Sequence, residues 1–234
     1  ITKFYRIMQR LYPDKSYSYQ IVADYAFKIE GNTKNARKII DYAKNIFSDD
    51  DGLNWAIYKC DLFDKKYDKA LLYIEENSDS IFFTQGKINI KEINLGHIYL
   101  LMGDEENAKS NYLATMKILS KMEGYDSDPR YHSILGLMHA LLGDTTLAIK
   151  EAKMAVALYP VTKDAFVADW YEMDLARVYS ILGEYDLALD IIERLFKGPS
   201  HMNWMIKYDI LFNKYLGDNP GFEKLIKEDE KHFR

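Results

Sequence analysis

The chain has 234 residues, 48% hydrophobic and 29% charged, and this apolar content excludes a wholly disordered protein. Its net charge of −5 argues against a nucleic-acid module, because phosphate binding draws on a surplus of basic residues. The longest apolar runs, such as residues 98–102, are far shorter than the roughly 18 residues that a membrane-spanning helix needs. A single cysteine, Cys60, excludes an internal disulfide and a CxxC pair.

The beginning of the chain has the pattern of a repeat that started earlier. A helix is predicted over residues 4–11, and Leu11-Tyr-Pro13 is typical of the exit from a repeat's second helix. Residue 1 is isoleucine and no signal-like segment follows, so we expect this sequence to be a piece of a longer protein. We interpret residues 1–14 as the end of a preceding repeat helix.

One pattern then recurs five times along the chain. Each copy has an apolar run, a tight turn, an acidic or polar pair and then an alanine. The alanines are 34, 38, 40 and 40 residues apart, at Ala36, Ala70, Ala108, Ala148 and Ala188. The second copy departs from the pattern, since it has Lys65 where the later copies have a turn glycine.

Each copy is predicted to form two helices. In the third copy, residues 93–102 have helical spacing and stop at Gly103, where a left-handed cap costs no Cβ clash. Asp104 then caps a second helix that places Ala108 and Tyr112 on one face. The later copies repeat these breaks at Gly143, Pro160, Gly183 and Pro199.

The order of small, aromatic, glycine and alanine residues resembles the tetratricopeptide repeat family. The matching positions are Gly96, Tyr99, Gly103 and Ala108; Gly136, Gly143, Ala148, Ala155 and Pro160; and Ala176, Tyr179, Gly183 and Ala188. The resemblance implies an all-α, right-handed superhelical solenoid of about five antiparallel helix pairs over residues 15–199. Residues 200–234 are then C-terminal capping helices. Segments 209–212 and 218–222 also loosely resemble the tail of bacterial multidomain signalling and regulatory proteins.

Catalytic and metal-binding signatures are missing from the sequence. There is no GxSxG, P-loop, GxGxxG or HExxH motif. His132 and His139 are seven residues apart, but a metal would need further ligands, so packed or solvated histidines are the better interpretation. The acidic turn at 48–52 does not have the spacing of a calcium loop. We therefore expect no cofactor, no metal and no enzymatic activity.

A stack of helix pairs offers a concave face lined by its first helices. Aromatic and arginine side chains on such a face favour capture of a peptide or helix. The competing interpretation is that the apolar members simply bury against neighbouring helices. The predicted groove residues are Trp55, Lys59, Ile93, His97, Arg130, Ser133, Leu137, Trp170, Met173 and Arg177. Members of the family that clamp a partner's terminal carboxylate use lysine and asparagine at set positions of the first helices. Only Asn94 and Arg130 fit those positions here, so such a clamp is not expected.

These observations favour a non-catalytic scaffold that binds a protein or peptide, as the interaction region of a larger bacterial signalling or regulatory protein. The alternative is a peptide-sensing domain that switches an attached cyclase, kinase or DNA-binding domain. An enzyme built on the solenoid is the least favoured class. A cytoplasmic location is expected, or a periplasmic one if the whole protein has an upstream membrane segment.

Overall fold

The computed structural model describes residues 7, 10–48, 50–77, 81–83, 87–198 and 202–232. Within these ranges the fold is all-α, as predicted, with thirteen helices and one short hairpin of strands. The chain divides into two compact units, Ile1–Ser78 and Asp79–Arg234. Most of the predicted helix over residues 4–11, and the predicted stop at Pro199, lie outside the described residues. The predicted boundaries at residues 14 and 199, and the superhelix handedness, stay predictions.

The first unit contains two helix pairs. Its helices are α1 (Ser16–Glu30), α2 (Lys34–Lys44), α3 (Asp51–Phe63) and α4 (Tyr67–Asn77). Ala36 and Ala70, the repeat alanines of this unit, are fully buried. Lys65 has a φ of 58°, which is the left-handed conformation that the turn glycines adopt in the second unit. A lysine therefore takes the place of the turn glycine in this pair. Arg37 of α2 holds α3 and its end by pairing with Asp61 and Asp64.

The second unit begins with a hairpin and continues as three helix pairs and a C-terminal group. Its elements are β1 (Ile81–Phe83), β2 (Ile88–Ile90), α5 (Lys91–Met102), α6 (Glu105–Leu119), α7 (Pro129–Leu141), α8 (Thr145–Leu158), α9 (Ala165–Leu182), α10 (Tyr185–Lys197), α11 (Asn203–Lys207), α12 (Ile210–Leu216) and α13 (Pro220–His232). The pairs α5–α6, α7–α8 and α9–α10 are the predicted repeats, and no helix in the described part of the chain has the length and apolarity to cross a bilayer.

The turns within the pairs follow the predicted chemistry. Gly103 and Gly183 both have a φ of 80°, and each ends the first helix of its pair in the left-handed conformation. Asp104 and Asp144 cap the second helices, and each carboxylate accepts a hydrogen bond from a backbone N–H three residues on. The tight turn therefore folds each second helix back along its partner.

The paired helices approach closely because small side chains lie between them. A Cβ added at Gly136 would lie 2.8 Å from the backbone nitrogen of Ala152, and one added at Gly96 would overlap the ring of Tyr112. The repeat alanines Ala148 and Ala188 are completely buried. This confirms the prediction that the small residues mark close contacts between helices.

The β-hairpin was not expected from the sequence. Its strands are antiparallel, with Ile81 opposite Ile90 and Phe83 opposite Ile88. Ile88 and Ile90 are buried in the same apolar cluster as Ile93 of α5. Because the hairpin takes up Ile90, α5 begins at Lys91, and an extended segment rather than a helical turn covers this side of the unit.

The C-terminal helices turn back onto the second unit. Asp209 interrupts the helical stretch and caps α12, since its carboxylate accepts from the N–H groups of Leu211 and Phe212. Phe212 and Leu216 are fully buried in the same apolar cluster as residues of α9 and α10. The helix α12 also packs against α9, so it contributes a wall to the concave side of the repeats.

Candidate functional site

A cavity of about 220 Å³ lies in the second unit, among the first helices α5, α7 and α9. The hairpin strand β2 and the start of α12 complete its lining. Six of the predicted groove residues line this cavity: Ile93, His97, Arg130, Ser133, Leu137 and Arg177. The helix faces chosen from the repeat register therefore converge on one space, although the chain's own hairpin and α12 narrow it.

Two predicted groove residues of the second unit lie outside the cavity lining. Met173 is almost fully buried in the apolar core of α9. Trp170 is partly buried against the same core, and the Nζ atom of Lys87 lies 4.6 Å from the centre of its ring. Trp170 thus holds Lys87, the residue just before β2, by a cation–π contact.

The other two predicted groove residues belong to the first unit. Trp55 packs in an aromatic group, with its ring centre 4.7 Å from that of Tyr58 and 6.4 Å from that of Tyr73. Lys59 forms an ion pair with Asp24 of α1. Both side chains connect helices within their own unit, and their part in binding stays a prediction.

A buried ionic network forms one wall of the cavity. The Nη2 atom of Arg177 donates to Asp209 Oδ2 at 2.6 Å, and its Nε donates to the same oxygen at 3.1 Å. The Nη1 atom donates to Asp174, whose second oxygen accepts from Ser133 Oγ at 2.5 Å. The network joins α7, α9 and the start of α12, so it fixes the shape of this wall.

The charges of the network stabilise one another against burial. Burial alone would lower the pKa of Arg177, but Asp209 and Asp174 outweigh it and raise that pKa. Burial would raise the pKa of Asp209, yet the neighbouring guanidinium holds it below its usual value. Arg177 and Asp209 therefore remain ionised at neutral pH, which differs from the free ligand anchor expected of Arg177.

His97 contributes a neutral polar group to the part of the lining that α5 forms. Burial lowers its pKa to about 4, so the imidazole is uncharged at neutral pH. Its Nδ1 atom lies 3.0 Å from Tyr112 Oη, and these two atoms share a hydrogen bond between α5 and α6. The ring is thereby fixed in orientation, and it can offer hydrogen bonding without a charge.

Arg130 lies at the rim, at the start of α7. Its Nε and Nη2 atoms donate to Asp128 at 3.0 and 2.6 Å, and Asp128 is also the capping residue of α7. The carboxylate has its pKa lowered because, although burial opposes it, Arg130 stabilises the ionised form. The guanidinium is therefore positioned by its neighbour rather than left to move freely.

Sequence reasoning missed several polar residues of the lining, namely Lys87, Asn89, Asp174 and Asp209. The sequence could have indicated Asp174, because it precedes Arg177 by three residues, and this spacing places an ion pair on one helix face. Lys87 and Asn89 belong to the unexpected hairpin. Asp209 reaches Arg177 across 32 positions of the chain, and no local pattern indicates such a contact.

The arrangement suits recognition through hydrogen bonds and apolar contact. Asn94 donates to Asn89 Oδ1 at 2.9 Å, which joins α5 to the hairpin beside the apolar side chains of Ile93 and Leu137. Among the residues that the structure describes, no three His, Cys, Asp or Glu side chains form a group that could hold a metal. His132 and His139 have separate acidic neighbours, Glu151 and Asp144.

Comparison with known proteins identifies the fold. No protein-family model matches the sequence, and no curated protein matches it either. The structure is similar to a chain in the crystal structure of the APC/C hetero-tetramer Cut9–Hcn1, a tetratricopeptide-repeat protein, with a TM-score of 0.51 and 16% sequence identity. The match covers 97% of this chain but 45% of the other, so this chain spans less than half its length. At this identity, the likeness establishes the all-α repeat fold alone.

Proposed function

We propose that this chain is a non-catalytic binding module and that the second-unit cavity captures part of a protein or peptide partner. The observation that carries the proposal is the convergence of first-helix side chains from three successive repeats on one space. That space combines apolar surface from Ile93 and Leu137 with fixed polar groups from His97 and Arg130. Such a mixture is typical of sites that anchor a ligand and set its orientation.

The size of the cavity defines what it can take. Its volume of about 220 Å³ is below the roughly 300–1,000 Å³ of pockets that enclose a drug-sized ligand. Because β2 and the start of α12 belong to its lining, the cavity itself is too small to take a whole partner helix. We infer that the site takes an anchor side chain or the end of a peptide, while the rest of the partner lies outside.

The chemistry of the lining indicates a polar anchor. Arg177 is saturated by two carboxylates of the chain itself, so it does not supply the main charge for a ligand. Arg130 and Asn94 also line the cavity, where Asp128 and Asn89 hold them in position, and neutral His97 supplies a further hydrogen-bonding group. An uncharged or singly anionic side chain matches these groups better than a cationic one.

A peptide-sensing role is the second candidate, and one observation favours it. The network of Arg177 connects the cavity wall to Asp209, the residue that caps α12. A ligand in the cavity would touch the same side chains that position the C-terminal helices. We propose that binding would alter an attached output domain through these contacts between the cavity wall and α12.

The broader context of the function is also a proposal. We propose that the module is the interaction region of a larger bacterial signalling or regulatory protein and that it acts in the cytoplasm. Its structural neighbour supports an assembly role, because that chain was crystallised as part of a hetero-tetramer. The sequence immediately before residue 1 tests this part, since an output domain there would support it and an unrelated enzyme domain would argue against it.

The binding proposal is tested by selecting ligands without assuming their identity. A displayed library of random peptides is panned against the immobilised chain, and the dissociation constants of enriched peptides are measured by calorimetry. Arg130→Met and Leu137→Phe remove a rim charge and fill the cavity, and each should weaken binding at least tenfold. Arg194→Met is the matched control, because Arg194 also pairs with a carboxylate, Glu172, but lies outside the cavity lining.

Equal binding by the wild type and by both cavity variants would contradict the proposal. Circular dichroism of all three variants checks that the folded state is kept. Arg130→Met should change stability little, since partly exposed ion pairs contribute about 0–1 kcal/mol. Failure to enrich any peptide over a blank surface would also contradict it.

A further inference from the structure

A second feature of the unit, separate from the cavity, is the environment of His132 on the first turns of α7. Both nitrogens of its ring face hydrogen-bond acceptors. Nδ1 lies 2.6 Å from Oε2 of Glu151 on α8, and Nε2 lies 2.7 Å from the carbonyl oxygen of Asp126. Asp126 belongs to the connector of residues 120–128 between α6 and α7. One imidazole thus joins two helices and a connector.

The protonation state of the ring decides whether both contacts can exist. A carbonyl oxygen accepts but never donates, and an ionised carboxylate also only accepts. A neutral imidazole has one N–H, whereas the imidazolium has two. The observed geometry therefore requires that His132 and Glu151 together hold one proton more than a neutral ring beside a carboxylate. Without that proton, one of the two acceptors faces a nitrogen lone pair.

The pair of His132 and Glu151 is largely buried and has charged neighbours. The side chains of His132 and Glu151 are each 13% exposed, so water replaces little of their contact. The charged and titratable groups facing the pair are Lys150 on α8, Asp126 and Asp128 in the connector, and Arg130 and Tyr131 on α7. Arg130 is bound to Asp128, and Lys150 is 3.7 Å from Glu151, so the carboxylates slightly outnumber the cations around the ring.

The connector that His132 holds also forms one side of an open surface cleft. Tyr125, Ser127 and Asp128 of the connector line the cleft, together with Tyr159 at the end of α8 and Tyr171 on α9 of the next pair. The ring centres of Tyr159 and Tyr171 are 5.8 Å apart, which makes that side a firm aromatic wall. The connector and this aromatic wall are thus two sides of one cleft.

We propose that His132 is a proton-operated latch that fastens the connector of residues 120–128 to α8 and so sets the shape of this cleft. The protonated ring donates to both Glu151 and Asp126 and holds the connector closed. Loss of the proton removes one donor, and the exposed carbonyl of Asp126 is the contact that is given up to water. The latch is therefore closed when both ring nitrogens carry a proton and opens when only one of them does.

Amide hydrogen exchange of the whole chain between pH 5 and 8.5 tests the latch directly. After correction for the intrinsic exchange rate, the amide of Asp128, whose N–H donates to the carbonyl oxygen of Tyr125 at 2.8 Å, should lose about tenfold or more of its protection as pH rises, since a hydrogen bond from a charged donor to the connector is lost. Nitrogen-15 NMR of the histidine rings should show two N–H groups on His132 at the acidic end and one at the basic end. A ring with one N–H throughout would overturn the proposal.

Two variants separate the latch from general effects of pH. His132→Gln cannot gain a proton, so exchange at the amide of Asp128 should no longer depend on pH. His139→Gln, on the same helix and 3.8 Å from Asp144, is the matched control and should keep the wild-type profile. Glu151→Gln serves if His132→Gln fails to fold, and it should reduce the pH dependence. A wild-type profile in either latch variant, or a flat profile in the control, would overturn the proposal.

Discussion

The seams, meaning the contacts between the two helices of each pair, are stabilised differently from the wall of the cavity. At the seams, Gly136 and Ala148 leave no room for larger groups, and apolar contact holds the helices together. At the cavity wall, Arg177 is buried with two aspartates and gives up apolar contact for a satisfied ionic network. The seams follow a local repeat, whereas the wall depends on contacts between distant segments. The repeat therefore specifies the scaffold, and the long-range contacts specify the site.

The largest loss of stability is expected when a charge is placed in a seam. Ala148→Glu buries an unpaired carboxylate between α7 and α8, and we expect a loss of unfolding free energy on the order of 4 kcal/mol. Urea denaturation followed by circular dichroism measures it. Lys153→Glu, at an exposed position of the same helix, is the control and should change little. A loss below about 1 kcal/mol for Ala148→Glu would mean that the seam is not where the repeat register places it.

Removing the cation from the wall is expected to have the next largest effect. Arg177→Met leaves Asp174 and Asp209 buried without their partner, which should cost about 3 kcal/mol. Adding Asp174→Asn and Asp209→Asn should recover much of that loss, because the unpaired charges are then gone. Chemical denaturation of the single and triple variants measures the difference. If the triple variant is as unstable as Arg177→Met, the cost arises from packing and not from charge.

The burial of His97 in the cavity lining can be tested through the pH dependence of stability. The folded chain holds His97 with a pKa of about 4, whereas an unfolded histidine takes up its proton near pH 6.5. Since the unfolded state binds this proton first, stability should fall by about 2–3 kcal/mol as pH drops from 6.5 to 4. His97→Gln should remove this part of the pH dependence, and His139→Gln should keep it. An unchanged slope in His97→Gln would show that the imidazole is not buried as described.

The smallest effect concerns the turns that close each pair. Lys65 has the left-handed backbone that Gly103 adopts in the second unit. Gly103→Ala should cost about 1 kcal/mol, because a Cβ disfavours this conformation. Lys65→Gly should stabilise by at most about 0.5–1 kcal/mol, since relief of the strain is partly offset by the entropy of glycine. Thermal unfolding measures the change in stability of each variant. A loss of stability in Lys65→Gly would show that the left-handed backbone at this position is not strained.

The scaffold was predictable from the sequence because its determinants are local. Turn glycines such as Gly183, capping aspartates such as Asp104 and the recurring alanines each act within a few residues of the helix that they shape. Even the departure at Lys65 marked a turn in the expected place. The hairpin before α5 was missed because its two three-residue strands are too short to establish an alternating pattern.

The site was predictable only in part. The repeat register placed His97, Ser133 and Leu137 on the cavity lining, because side chains at matching helix positions share a face. It also suggested Arg177 as a ligand anchor, whereas the structure commits that guanidinium to Asp174 and Asp209. The contact with Asp209 depends on α12 folding back, and periodicity within single helices carries no information about that.

An NMR titration of the isotope-labelled chain with a peptide selected from the library tests whether a partner binds in the second-unit cavity. If it does, the largest shifts should fall on the side-chain amide of Asn94, the ring of His97 and the guanidinium of Arg130. Shifts confined to the outer helices α6, α8 and α10, with these three groups unmoved, would contradict binding in the cavity.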